Sequence, residues 1–154
     1  MDRDDMSFIA EARPEDVSAI AALLRAAELP HGDFSAHLGC FRVARDRAGT
    51  VVGAVGAEVY REEALLRSLV VVPDLRGTGL GGRLVDTLER AASDWGVRRW
   101  WLLTTTAERF FAARGFCVVA RCAAPEVIRA TGQFSGGCGS AAVCMTRECR
   151  GNHT

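Results

Sequence analysis

Seven consecutive residues, Arg76-Gly77-Thr78-Gly79-Leu80-Gly81-Gly82, hold the sharpest chemical signal in the chain. They follow an apolar stretch and open a long segment with helical periodicity. A helix N-terminus presents unpaired backbone N–H groups and a partial positive charge. Glycines let the backbone curl around an anion and let a ligand come close. The segment reads as a diphosphate cradle, set against the plainer reading of a glycine-rich turn. Gly77, Gly79 and Gly82 also satisfy G-x-G-x-x-G, the dinucleotide fingerprint. The context disagrees: Pro73 to Arg76 separate the glycines from the strand, several elements come earlier, and Thr104-Thr105-Thr106 stand where an acidic ribose ligand is needed. A P-loop needs Gly-Lys-Ser/Thr, and every basic residue here is Arg.

The elements that must position this loop follow from periodicity and breakers. Ser7 to Ala12 is extended. Val17, Ile20, Leu23, Leu24 and Ala27 recur at helical spacing between Pro14 and Pro30. His31 to Cys40 reads as a loop or short irregular helix. Phe41 to Arg45 and Thr50 to Tyr60 form a hairpin around Asp46-Arg47-Ala48-Gly49. Leu65 to Val72 is a central strand whose apolar run Arg67 and Ser68 interrupt. The helix after the loop carries Leu80, Leu84, Val85, Leu88, Ala91, Ala92 and Trp95 on one face and stops at Gly96. Then come a strand (Trp100 to Thr104), a short helix (Ala107 to Ala113), a strand (Phe116 to Arg121), a short helix (Pro125 to Thr131) and a last strand (Ala141 to Thr146). This alternation predicts one α/β or α+β domain, residues 1–154, with a mixed sheet and a frayed tail from residue 146 on.

Composition narrows the function classes. The chain has 154 residues, 19 basic and 19 acidic, so no cationic excess exists to neutralise nucleic-acid phosphates. The acidic N-terminus lacks the pattern of a signal peptide, and no apolar run approaches the ~20 residues of a membrane span. A cytoplasmic protein is the expectation, with no membrane or nucleic-acid partner. Six cysteines occur without a CxxC pair or clustered Cys/His spacing. Reduced thiols and no metal are expected, although Cys138, Cys144 and Cys149 could bind arsenite in principle.

Arg76, Gly79 and Gly81 match the pattern Arg/Gln-x-x-Gly-x-Gly/Ala, inside the longer phrase from Leu69 to Gly82. A second block, Ala107 to Phe116, is a helix followed by Gly-Phe. On these blocks the chain resembles the GCN5-related N-acetyltransferase (GNAT) superfamily. Leu65 to Val71, Leu102 to Ala107, Pro125 to Thr131 and Ser140 to Met145 resemble, more narrowly, the N-acetyltransferases encoded in bacterial arsenic-resistance clusters. The resemblance implies a mixed, mostly antiparallel central sheet of about six to seven strands flanked by helices. It implies acetyl-CoA as cosubstrate and a small-molecule amine as acceptor: an amino acid or an arsenic-containing amino-acid analogue. It also implies a homodimer. Acetylation of a protein or peptide, or a non-catalytic acetyl-CoA sensor, are the competing readings.

The resemblance also implies roles. Leu69, Val70 and Val71 would offer backbone groups to the pantetheine arm, with an N–H near Leu69 stabilising the oxyanion. Arg76 to Gly82 would hold the pyrophosphate. Thr104 and Thr105 stand where many relatives have an Asn that contacts the coenzyme, and Phe111 stands where a Tyr often protonates the thiolate. Glu58 is the first candidate base, or else a solvated hairpin carboxylate; Glu62 and Glu63 are further options. Arg67, beside Ser68, either grips a substrate carboxylate or makes an internal ion pair. Arg129 is a second anion-binding candidate. Phe34 and His37, with His31, either line the acceptor pocket or are plain loop residues. Trp100-Trp101 reads as strand packing.

Overall fold

The computed structural model describes residues 7–137 and 141–149. Strands are β1 (Phe8–Glu11), β2 (Phe41–Arg45), β3 (Val51–Tyr60), β4 (Glu63–Val71), β5 (Arg99–Thr104), β6 (Cys117–Val119) and β7 (Val143–Glu148). Helices are α1 (Val17–Ala26), α2 (Leu80–Ser93), α3 (Glu108–Ala112) and α4 (Glu126–Arg129). The strands form one seven-stranded sheet in the order β1-β2-β3-β4-β5-β7-β6. The β4/β5 pair is parallel; β1/β2, β2/β3, β5/β7 and β6/β7 are antiparallel. The sheet is thus mixed, mostly antiparallel and flanked by helices, as expected. Backbone contacts divide the chain into two compact units, Met1–Ala57 with Ser68–Ala91, and Glu58–Arg67 with Ala92–Thr154.

In the first unit, Ile20 and Leu24 of α1 pack into a buried cluster with Phe34, Phe41, Val43, Ala54 and Val70. The i, i+4 spacing puts both helix residues on one face, and each such buried side chain contributes about 1.5–3 kcal/mol. β3 is buried continuously from Val51 to Glu58, the pattern of a strand covered on both faces. Two glycines on it matter. A Cβ at Gly53 would stand 3.1 Å from Leu84 Cδ1, so α2 lies close over the strand there. A Cβ at Gly56 would overlap the Phe41 ring. Asp16, in the turn before α1, receives two hydrogen bonds from Arg45 of β2, at 2.9 and 2.7 Å, and one from the Arg13 N–H at 2.8 Å.

In the second unit, β5 and β7 pair over six residues, from Arg99↔Glu148 to Thr104↔Val143. Leu65, Trp101, Leu103, Ile128 and Cys144 form the core, with Tyr60 packed against it. Trp100 is fully buried, and Trp101 Nε1 donates to Glu63 Oε1 at 2.7 Å. The tryptophan pair is strand packing, as its sequence suggested. The frayed tail expected from residue 146 needs correction: Thr146 and Arg147 are buried strand residues, and Thr146 Oγ1 donates to the Trp100 carbonyl at 2.8 Å. Residues 150–154 of that segment lie outside the described residues.

Candidate active site

The cradle lies wholly in the first unit. A short turn, Pro73–Leu75, leaves β4 and is anchored by the buried Leu75. Thr78 Oγ1 donates to the Leu75 carbonyl at 2.6 Å, and Arg76 Nε donates to the Val71 carbonyl at 3.0 Å. These bonds fold the loop back on the end of β4. Gly77 and Gly79 have φ of 80° and 92°, values that disfavour a side chain because of the Cβ–carbonyl clash. The Arg83 N–H bonds the Gly79 carbonyl at 3.1 Å, which starts α2. Leu80, Gly81 and Gly82 therefore supply first-turn N–H groups, whereas the Leu80 side chain is buried. Among the described residues, a Cβ at Gly77 or Gly79 would meet nothing within 4 Å beyond its chain neighbours. The open, glycine-lined N-terminus of a 14-residue helix fits a pyrophosphate.

The irregularity expected in β4 falls on Ser68, which has φ of 63° inside the strand. Left-handed backbone at a non-glycine residue costs about 1–2 kcal/mol, and it marks where the strand's side-chain alternation resets. Leu69 and Val71 are half-buried and Val70 is buried. The parallel register of β4 with β5 covers three pairs, Glu63↔Arg99, Ala64↔Trp100 and Leu65↔Trp101. β4 then continues six residues further, to Val71.

The second unit holds the titratable group. Arg67 Nη1 and Glu58 Oε2 are 2.6 Å apart, with side chains 0% and 3% exposed. Tyr60 donates its hydroxyl to Glu58 Oε1 at 2.5 Å. Glu58 is therefore not a solvated hairpin carboxylate, and Arg67 makes the internal ion pair that was the alternative to gripping a substrate. Glu62 is exposed, and Glu63 is taken by Trp101. The part of Tyr60 was not read from the sequence. The signal was available: residues i and i+2 of a strand share one face.

Other predicted residues fall elsewhere. Thr104 Oγ1 accepts the Ala107 N–H at 3.0 Å and shapes the turn into α3, while Thr105 is exposed. Phe111 is buried, edge-on to Phe110 and Phe116 at 4.9 and 5.4 Å. That corrects the expectation of a coenzyme contact by its ring, because core packing leaves the ring almost no surface. Phe34 is corrected in the same way: it is buried 5.4 Å from the Phe41 ring. His37 is half-buried at a kink in the turn Phe34–Cys40. Arg129 Nε donates to the Ala124 carbonyl at 2.9 Å, on an exposed part of α4.

Among the described residues no group of three His, Cys, Asp or Glu could hold a metal ion. Cys144 is buried, and burial pushes its thiol up, which disfavours thiolate chemistry. Cys138 lies outside the described residues. No described helix is long and apolar enough to cross a membrane.

A mixed sheet whose central strand leads through a glycine loop into a helix N-terminus is an α/β arrangement suited to holding an anion. Residues 6–116 match the acetyltransferase (GNAT) family, and the chain belongs to that family. An amino-acid acetyltransferase of Ralstonia nicotianae is 31% identical over 121 residues, 73% of this chain and 27% of that protein. N-acetylglutamate synthase of Neisseria gonorrhoeae, solved with coenzyme A and N-acetyl-glutamate, superposes with a TM-score of 0.82 at 24% identity, over 94% of this chain and 35% of that one. A GNAT-family N-acetyltransferase of Escherichia coli, solved with CoA, gives 0.70 at 21% identity, over 94% and 82%. The chain spans about a quarter to a third of the length of the first two.

Proposed function

We propose that this chain transfers the acetyl group of acetyl-CoA to the amine of an amino acid or of an arsenic-containing amino-acid analogue, in the cytoplasm. The observation that carries it is the cradle: Gly77 and Gly79 open the N-terminus of α2, one short turn after the irregular strand β4. Membership of an acetyltransferase family supports the reaction. The amino-acid acetyltransferase among the relatives supports an amino-acid acceptor, and the stretches Leu65–Val71, Leu102–Ala107 and Pro125–Thr131 support the arsenical analogue.

First-turn N–H groups of α2 bind the pyrophosphate, and Arg76 adds a cation at the loop. A backbone N–H near Leu69 or Val70 meets the developing oxyanion. Glu58 is the terminal base that takes the proton of the attacking amine. With Phe111 lacking a hydroxyl, the thiolate leaves without a proton from that position.

The test follows free-thiol release from acetyl-CoA with purified protein and a panel of amines: amino acids, phosphinothricin-like and arsenical amino acids, polyamines and short peptides. Release that depends on an amino-acid-type acceptor supports the reading. Release with peptides alone moves the function to protein acetylation. Coenzyme binding without release from any acceptor turns it into a sensor, and no binding of acetyl-CoA removes it.

A further inference from the structure

Glu58 is buried, whereas Tyr60 is only half-buried. Both belong to β3, two positions apart, so both side chains lie on one face of the strand. The two carboxylate oxygens have chemically different partners. Arg67 holds Oε2 at 2.6 Å with a guanidinium, which offers donors and no acceptor. Tyr60 holds Oε1 at 2.5 Å with a phenol that can give up one proton while accepting another. The Tyr60 ring packs against the cluster that contains Leu65 and Trp101, which fixes the direction of its hydroxyl.

We propose that Tyr60 is a catalytic residue: the relay through which the acceptor amine passes its proton to the buried Glu58. The proposal rests on the reading of Glu58 as the terminal base. As the amine nitrogen bonds to the acetyl carbon, its N–H proton moves to the Tyr60 oxygen. The Tyr60 hydroxyl proton moves in the same event to Glu58 Oε1. The carbon–sulfur bond breaks with its electron pair on sulfur, so the negative charge of the carboxylate ends on the thiolate. Tyr60 finishes with its proton restored and Glu58 finishes neutral. Arg67 is a positioning residue in this scheme, because its grip on Oε2 keeps Oε1 turned toward the phenol.

Three variants test it: Tyr60→Phe, Glu58→Gln and the double variant, assayed with the acceptor that gives acceptor-dependent release. Tyr60→Phe removes only the hydroxyl and leaves the ring to pack. Each single variant is expected to lower kcat about 10²-fold with the KM for acetyl-CoA unchanged, and the double variant to fall no further. Rates in H2O/D2O mixtures are expected to give a bowed dependence for the parent protein, from two protons in flight, and a straight one for Tyr60→Phe. A crippled Glu58→Gln beside a fully active Tyr60→Phe overturns the relay and leaves the base reading standing. A fully active Glu58→Gln removes the base reading and the relay with it. Tyr60 is the sole tyrosine of the chain, so biosynthetic replacement by 3-fluorotyrosine alters this one phenol with minimal change of shape. A kcat that changes at constant coenzyme affinity supports the relay, and an unchanged kcat overturns it.

Discussion

Arg67 and Glu58 form a buried ion pair, 2.6 Å between Nη1 and Oε2, nine residues apart in sequence on two strands joined by the turn Arg61-Glu62. Burying one charge alone is costly, and here each buried charge is offset by the opposite charge at hydrogen-bond distance.

Removing one member should therefore be worse than removing both. Arg67→Met is expected to lower unfolding free energy by about 3–5 kcal/mol. Adding Glu58→Gln to it should recover part of that loss. Urea unfolding of the two single variants and the double measures the coupling; strict additivity would mean that the pair does not interact.

The cradle glycines should separate folding from binding. Among the described residues, nothing beyond its chain neighbours lies within 4 Å of a Cβ built at Gly79, whose φ is 92°. Gly79→Val should thus lose stability only through backbone strain, about 1–2 kcal/mol. Its coenzyme A affinity should fall by more than about tenfold, or 1.4 kcal/mol, as the side chain fills the cradle. Calorimetric titration reads the second number, and unchanged affinity would place the pyrophosphate elsewhere.

Gly56 makes the opposite case, since a Cβ there would stand 2.2 Å from the Phe41 ring. Gly56→Ala is expected to overpack the core and destabilise by about 1–3 kcal/mol. Phe41→Leu should suppress part of that effect in the double variant, although it destabilises on its own. Thermal unfolding of the four proteins checks it.

Asp16 predicts the response to acid. The Arg45 hydrogen bonds hold its carboxyl below the ordinary value of 3.8. A lowered carboxyl contributes stability that is complete above the ordinary value and is lost as pH falls through the lowered one. Asp16→Asn should therefore cost about 2 kcal/mol near neutral pH and progressively less as the solution is acidified toward and below the carboxylate range. Unfolding curves of both proteins across that range measure the difference; a constant gap would mean that Asp16 does not titrate with folding.

Much of the fold was legible because local rules and tertiary packing agree. Each strand and helix lies within a few residues of its predicted range, since apolar periodicity reports which face must be buried. The last strand departs most at its end: the sequence reads a strand to Thr146 and a tail from there on, yet β7 runs to Glu148, Thr146 bonds the Trp100 carbonyl and Thr146 and Arg147 are buried. Polar residues are read as exposed until their partners are known: the Trp100 carbonyl on β5 for Thr146, and the Arg114 carbonyl and Phe116 ring for Arg147.

The sequence by itself determined the cradle, because positive φ and an open helix N-terminus are local properties of Arg76 to Gly82. It also determined the irregularity of β4, which a charged residue and a serine announce in an apolar run. Only the tertiary structure decided the fate of the side chains around them. It sent Phe34 and Phe111 into the core, spent Arg67 on Glu58, and set the Tyr60 hydroxyl on the same carboxylate. Those outcomes depend on which strands lie side by side and in which register, and hydrogen bonds between distant residues leave no periodic trace in the chain.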